Sequence, residues 1–82
     1  MGAPFLELDL HGLTADMAQV EIDRFLRNKV DKTTYQVRLI HGYRSGTALR
    51  SMIQQKYRSH PKVKRVIPGD NPGVTILVIR EL

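Results

Sequence analysis

The chain has 82 residues, a formal net charge of +5, 41% hydrophobic and 26% charged residues, and no cysteine. That length holds one domain, residues 1–82, with one core. The missing cysteines exclude disulfides, a thiolate metal site and a cysteine nucleophile, and a cytoplasmic chain is the simplest expectation. No apolar run approaches the roughly 20 residues that span a bilayer, so no membrane partner is expected.

Taken in order, residues 5–10 alternate. Leu6, Leu8 and Leu10 share one face of a first strand, and Phe5, Glu7, Asp9 and then His11 share the other. Gly12 permits a turn, and Thr14 suits a helix N-cap. Ala18, Ile22, Phe25, Leu26 and Val30 form a stripe at helical spacing, so 15–30 reads as an amphipathic helix. Residues 35–40 read as a second strand. The loop His41-Gly42-Tyr43-Arg44-Ser45-Gly46 follows it. A second helix over 47–58 turns Leu49, Met52, Ile53 and Tyr57 inward and stops before Pro61. Residues 63–67 form a third strand, 68–73 a turn-rich loop, and 74–79 a fourth strand. That last strand is apolar on both faces apart from Thr75, which places it inside the sheet.

The order β-α-β-α-β-β, with right-handed crossovers, gives a two-layer α/β sandwich: a four-stranded sheet with both helices on one face. Helix-joined strands one and two are parallel, so both His-Gly loops leave the same sheet edge, at the N-termini of the two helices. Open α/β sheets bind ligands at that edge, and helix N-termini favour phosphate. Asp9, His11 and His41 are the candidate catalytic residues. His60, before Pro61, reads as a surface residue completing a helix end.

Charge is unevenly spread. Residues 1–23 carry five acids and no Lys or Arg, whereas 24–82 carry all thirteen basic residues and three acids. A basic body suggests a polyanionic partner, nucleic acid first; the plain alternative is a solvated surface.

Leu8-Asp9-Leu10-His11-Gly12, then Ile40-His41-Gly42 with Gly46 and Leu49-Arg50, then Gly73-Val74-Thr75-Ile76 resemble the motifs of the small MutS-related (Smr) domain, over nearly the whole chain. The resemblance implies a mixed sheet like that of the C-terminal domain of a bacterial translation initiation factor, with strand four internal and antiparallel to its neighbours. It also implies a DNA- or RNA-binding module, in several members a nuclease. Arg44 stands where the family pattern has a second glycine.

Two functions follow as expectations. One is an endonuclease. On RNA it needs no metal: one histidine takes the 2′-hydroxyl proton, the other protonates the leaving oxygen, and Asp9 orients His11. On DNA, water attacks and a divalent ion is possible. The other is a non-catalytic module that uses the same loops to hold nucleic acid. In either, Gly12, Gly42, Tyr43, Arg44, Gly46 and Arg50 are the expected nucleic-acid contacts: Tyr43 by stacking, Arg44 and Arg50 through phosphate, the glycines through loop shape.

Overall fold

The first strand, β1, runs Phe5–Asp9, and Thr14 ends the turn that follows it. The Thr14 hydroxyl accepts the Met17 N–H at 3.2 Å and starts helix α1, Ala15–Asn28. Strand β2 covers Gln36–Ile40, helix α2 Gly46–Tyr57, β3 Arg65–Pro68 and β4 Val74–Val78. This computed structural model describes residues 4–43 and 46–81. Arg44 and Ser45 lie outside the described residues.

The sheet order is β1-β2-β4-β3. β1 and β2 are parallel, and β4 is antiparallel to both β2 and β3. The mixed four-stranded sheet with its two helices is therefore the expected one, and the strand with two apolar faces is internal. Register defines the faces. Leu8, Leu39 and Thr75 form one row, and Leu6, Val37 and Leu77 another; both turn toward the helices. Glu7, Arg38 and Ile76 form a row on the opposite face. Leu10, Val37, Leu39 and Leu77 make one core with Ala18, Ile22 and Leu26 of α1 and Leu49, Met52, Ile53 and Tyr57 of α2. Each fully buried Leu or Ile contributes about 1.5–3 kcal/mol.

Boundaries differ from the sequence reading by one or two residues, and at α1 and β3 the local reasons are plain. α1 stops at Asn28 because the chain turns at Lys29; Lys62 Nζ then takes the free Leu26 carbonyl at 2.9 Å. Val30 leaves the helix yet stays in the core. β3 begins at Arg65, since Val63 closes a turn through its N–H to the His60 carbonyl while its side chain enters the core. The strand ends on Pro68, which an edge position tolerates. His60 does complete the end of α2: its N–H reaches the Tyr57 carbonyl, and its Nδ1 accepts the Lys62 N–H. The Tyr57 hydroxyl ties α2 to α1 by donating to Asp23 Oδ1 at 2.6 Å, and burial pushes the phenol's pKa up. Among the described residues, no helix is long and apolar enough to cross a membrane.

Candidate functional site

The parallel pairing of β1 with β2 sets Asp9 opposite Ile40, so the segments after them run side by side. Gly12 and Gly42 both turn the chain at positive φ, +81° and +87°. A Cβ placed on Gly42 would lie 3.8 Å from the Cβ of His11. The β3–β4 loop closes the group. The Gly73 carbonyl accepts the His41 and Gly42 N–H groups at 2.9 and 3.0 Å, and a Cβ on Gly73 would come within 3.3 Å of Gly42 backbone. A side chain on Gly73 would crowd this backbone, and the left-handed φ of Gly12 and Gly42 favours glycine there.

The two histidines differ in what surrounds them. His11 is open to solvent, its side chain 72% exposed. Its Nδ1 stands 2.6 Å from Asp9 Oδ1, and its backbone N–H donates to the same oxygen at 3.0 Å. These two bonds from His11, the ring first and the backbone second, hold the Asp9 carboxyl below the usual carboxylate range. Because a carboxylate only accepts, Nδ1 carries the proton that bridges the pair, and Nε2 bonds no described protein group. The first turn of α1, the positive end of its dipole, begins four residues after His11.

His41 continues the inward-facing set of Val37 and Leu39 and is 1% exposed. Its Nε2 lies 2.8 Å from Thr75 Oγ1, and its Nδ1 lies 3.1 Å from the Gly42 carbonyl. A carbonyl only accepts, so Nδ1–H donates to Gly42 and Nε2 accepts the Thr75 hydroxyl. Burial lowers the pKa of His41. The Arg50 charge pushes the same way, against the Gly42 carbonyl, which pulls it up. Both ring nitrogens are thus bonded inside the protein, and burial favours the neutral form. Asp9 and His41 stem from opposite faces of the sheet although their backbones adjoin.

The remaining candidates frame this edge. Tyr43 is 66% exposed. Gly46 is the first residue of α2. Arg50 is exposed on that helix and lines a cavity of 370 Å³ with Pro68, Gly69 and Val74, on the flank away from Asp9. Arg44 lies outside the described residues. Among the described residues no three His, Cys, Asp or Glu side chains gather as a metal site; Asp9 and His11 would offer two ligands.

The sequence reading gave no site role to four residues that contribute here. Thr75 is the partner of His41, and its signal was the lone hydroxyl in an otherwise apolar strand. Gly73 holds the His41 backbone. Met17 and Val20, 53% and 55% exposed, line a cavity of 340 Å³ beside Asp9 with Leu13 and Glu21. Two exposed apolar side chains three residues apart on a helix were the legible sign there.

A family model of the Smr domain matches residues 8–79. The chain belongs to the Smr domain family. The endonuclease MutS2 of Caldicellulosiruptor saccharolyticus is 34% identical over 80 residues, 93% of this chain and 10% of that protein. MutS2 of Pelotomaculum thermopropionicum is 36% identical over 75 residues, 87% of this chain and 9% of the relative. This Smr domain thus spans about a tenth of the length of the curated relatives it matches. The crystal structure of the Smr domain of Thermus thermophilus MutS2 superposes with a TM-score of 0.79 at 31% identity, covering 93% of this chain and 99% of that one.

Proposed function

We infer that this Smr domain binds nucleic acid and cleaves an RNA phosphodiester through the Asp9–His11 pair, with His41 as a buried structural support. The observation that carries the reading is the 2.6 Å Asp9–His11 contact, exposed at the start of α1 with Nε2 unbonded. The relatives' description as endonucleases supports the same class of chemistry. His11 Nε2 takes the proton from a 2′-hydroxyl as that oxygen bonds to the adjacent phosphorus. The P–O5′ bond breaks, and the leaving oxygen takes a proton from solvent. The products are a 2′,3′-cyclic phosphate and a 5′-hydroxyl end. Asp9 fixes the tautomer and stabilises the imidazolium that forms. The Met17–Val20 cavity, with its apolar walls, suits the flat face of a neighbouring base.

This chemistry requires no metal, since the nucleophile is already in the substrate. The test is single-turnover cleavage of RNA and DNA with EDTA or with Mg²⁺, followed by analysis of the product ends. Cleavage of RNA in EDTA to cyclic-phosphate ends supports the reading. Binding without any cleavage leaves the domain a nucleic-acid-holding module. Cleavage of DNA only with Mg²⁺ moves the chemistry to metal-activated water.

A further inference from the structure

Among the described residues, the cations do not gather at the histidine loops. Register gives the sheet two ends. Asp9, Ile40 and Val74 form the row at the histidine loops; Phe5, Gln36, Val78 and Arg65 form the row at the far end, four strand steps or about 13 Å away. The C-terminal ends of both helices and the approach to β3 lie at that far end.

Two grooves open there, on either side of the C-terminal half of α2. One, of 490 Å³, is lined by Arg27, Lys56 and Lys62. The other, of 570 Å³, is lined by Arg58, Lys64 and Arg65. Among the described residues, Asp23 is the one carboxylate lining either groove, and its Oδ1 is engaged by the Tyr57 hydroxyl. The cavity beside Asp9 is the reverse: it is lined by two carboxylates, Asp9 and Glu21, and by no cation.

Helix C-termini favour cations, and Lys62 and Arg58 do bond the Leu26 and Gln54 carbonyls. That does not account for Lys64 and Arg65, which belong to β3 and its approach. Among the described residues Arg27, Lys56 and Lys64 form no ion pair, and within the grooves only Arg65 has a carboxylate, Glu81.

We propose that this far pole is a docking surface for the phosphate backbone of nucleic acid, with the two grooves as its seats and α2 as the ridge between them. The surface holds a strand by charge while the histidine edge acts on another part of it. The proposal rests on the nucleic-acid reading above and adds where the backbone is gripped. Two concave basic grooves suit a chain of phosphates better than a membrane, since none of the exposed large apolar residues, Phe5, Met17, Val20 and Tyr43, lines either groove.

The test is equilibrium binding of labelled single strands and duplexes of RNA and DNA from about 50 to about 200 mM salt. Wild type is compared with the triple variant Arg27→Gln, Lys56→Gln, Lys64→Gln and with Arg24→Gln, which removes a cation of α1 outside both grooves. The triple variant is expected to bind tenfold or more weakly, with a salt slope shallower by about 2, while Arg24→Gln keeps the wild-type slope. Equal affinity and slope in the triple variant overturn the docking surface and leave the nucleic-acid reading standing. A slope that falls as much per charge in Arg24→Gln also overturns it, in favour of diffuse charge. A wild type that binds no strand at all overturns both. If the triple variant does not fold, amine acylation of the unaltered protein reads the same surface: a bound strand should protect Lys56, Lys62 and Lys64, and their full reactivity contradicts the proposal.

Discussion

His11 and His41 follow neighbouring parallel strands, and each precedes a glycine at positive φ, yet they do opposite things. His11 lies past the end of β1, anchored by a carboxylate and facing water. His41 is one residue past β2 on the inward-facing register and is sealed against Thr75. The same two-letter motif therefore yields a solvent-facing imidazole in one loop and a buried structural peg in the other. The difference comes from strand alternation, because one residue of register exchanges solvent for core.

The sharpest way to break this contrast is through the partners. Asp9→Asn keeps the shape of the exposed pair but removes the charge that stabilises an imidazolium. RNA cleavage should fall by ~10²-fold or more while the unfolding midpoint stays near wild type, measured by single-turnover kinetics beside thermal melts. On the buried side the expected response is reversed. His41→Ala should cost about 2–4 kcal/mol of stability, from the lost volume and the stranded Thr75 hydroxyl, as read by urea unfolding. For a domain this size that is a large share of the total.

The pH dependence of stability should report the burial of His41. The folded-state pKa of His41 is depressed from its ordinary 6.5, so the unfolded chain binds that proton first. Stability should be full above about pH 6.5 and should fall as pH drops from there toward the folded value. His41→Gln should flatten the curve over that window in denaturant titrations at a series of pH values. Asp9, Asp31 and Asp70 also have depressed pKa values, but from an ordinary value of 3.8, so their contributions vanish only at more acid pH.

The smallest effect belongs to the support of the third loop. Arg38 bridges Glu7 at 2.6 Å and Asp70 at 2.9 Å across the outer sheet face, tying the β3–β4 loop to the sheet. Its guanidinium holds the Asp70 carboxyl below the usual range. Asp70→Asn should lower the melting temperature slightly at low salt and not at all at high salt, since exposed ion pairs are weak and screened.

Much of this architecture was legible in the sequence. The leucine alternation of β1, the stripe of α1 and the two-faced apolar strand β4 each name their own place. The meeting of the His-Gly loops followed from parallel strands alone. The burial of His41 was harder to see, because a histidine just past a strand end reads equally as the last inward residue or the first loop residue. Thr75 held the clue, since a hydroxyl in the most buried strand needs a partner. The cations of the far pole were hidden because Arg27, Lys56 and Lys64 are distant in sequence and reach the two grooves only through the fold.

The proposed division of labour gives chemistry to His11 and architecture to His41. It is tested most directly by measuring single-turnover RNA cleavage and urea unfolding side by side on His11→Ala and His41→Ala. His11→Ala is expected to keep the wild-type unfolding curve and to lose ~10²- to 10⁴-fold in rate. His41→Ala is expected to lose stability, while whatever fraction remains folded still cuts. A His11→Ala protein that cuts at the wild-type rate would contradict it, as would a fully stable His41→Ala protein that does not cut.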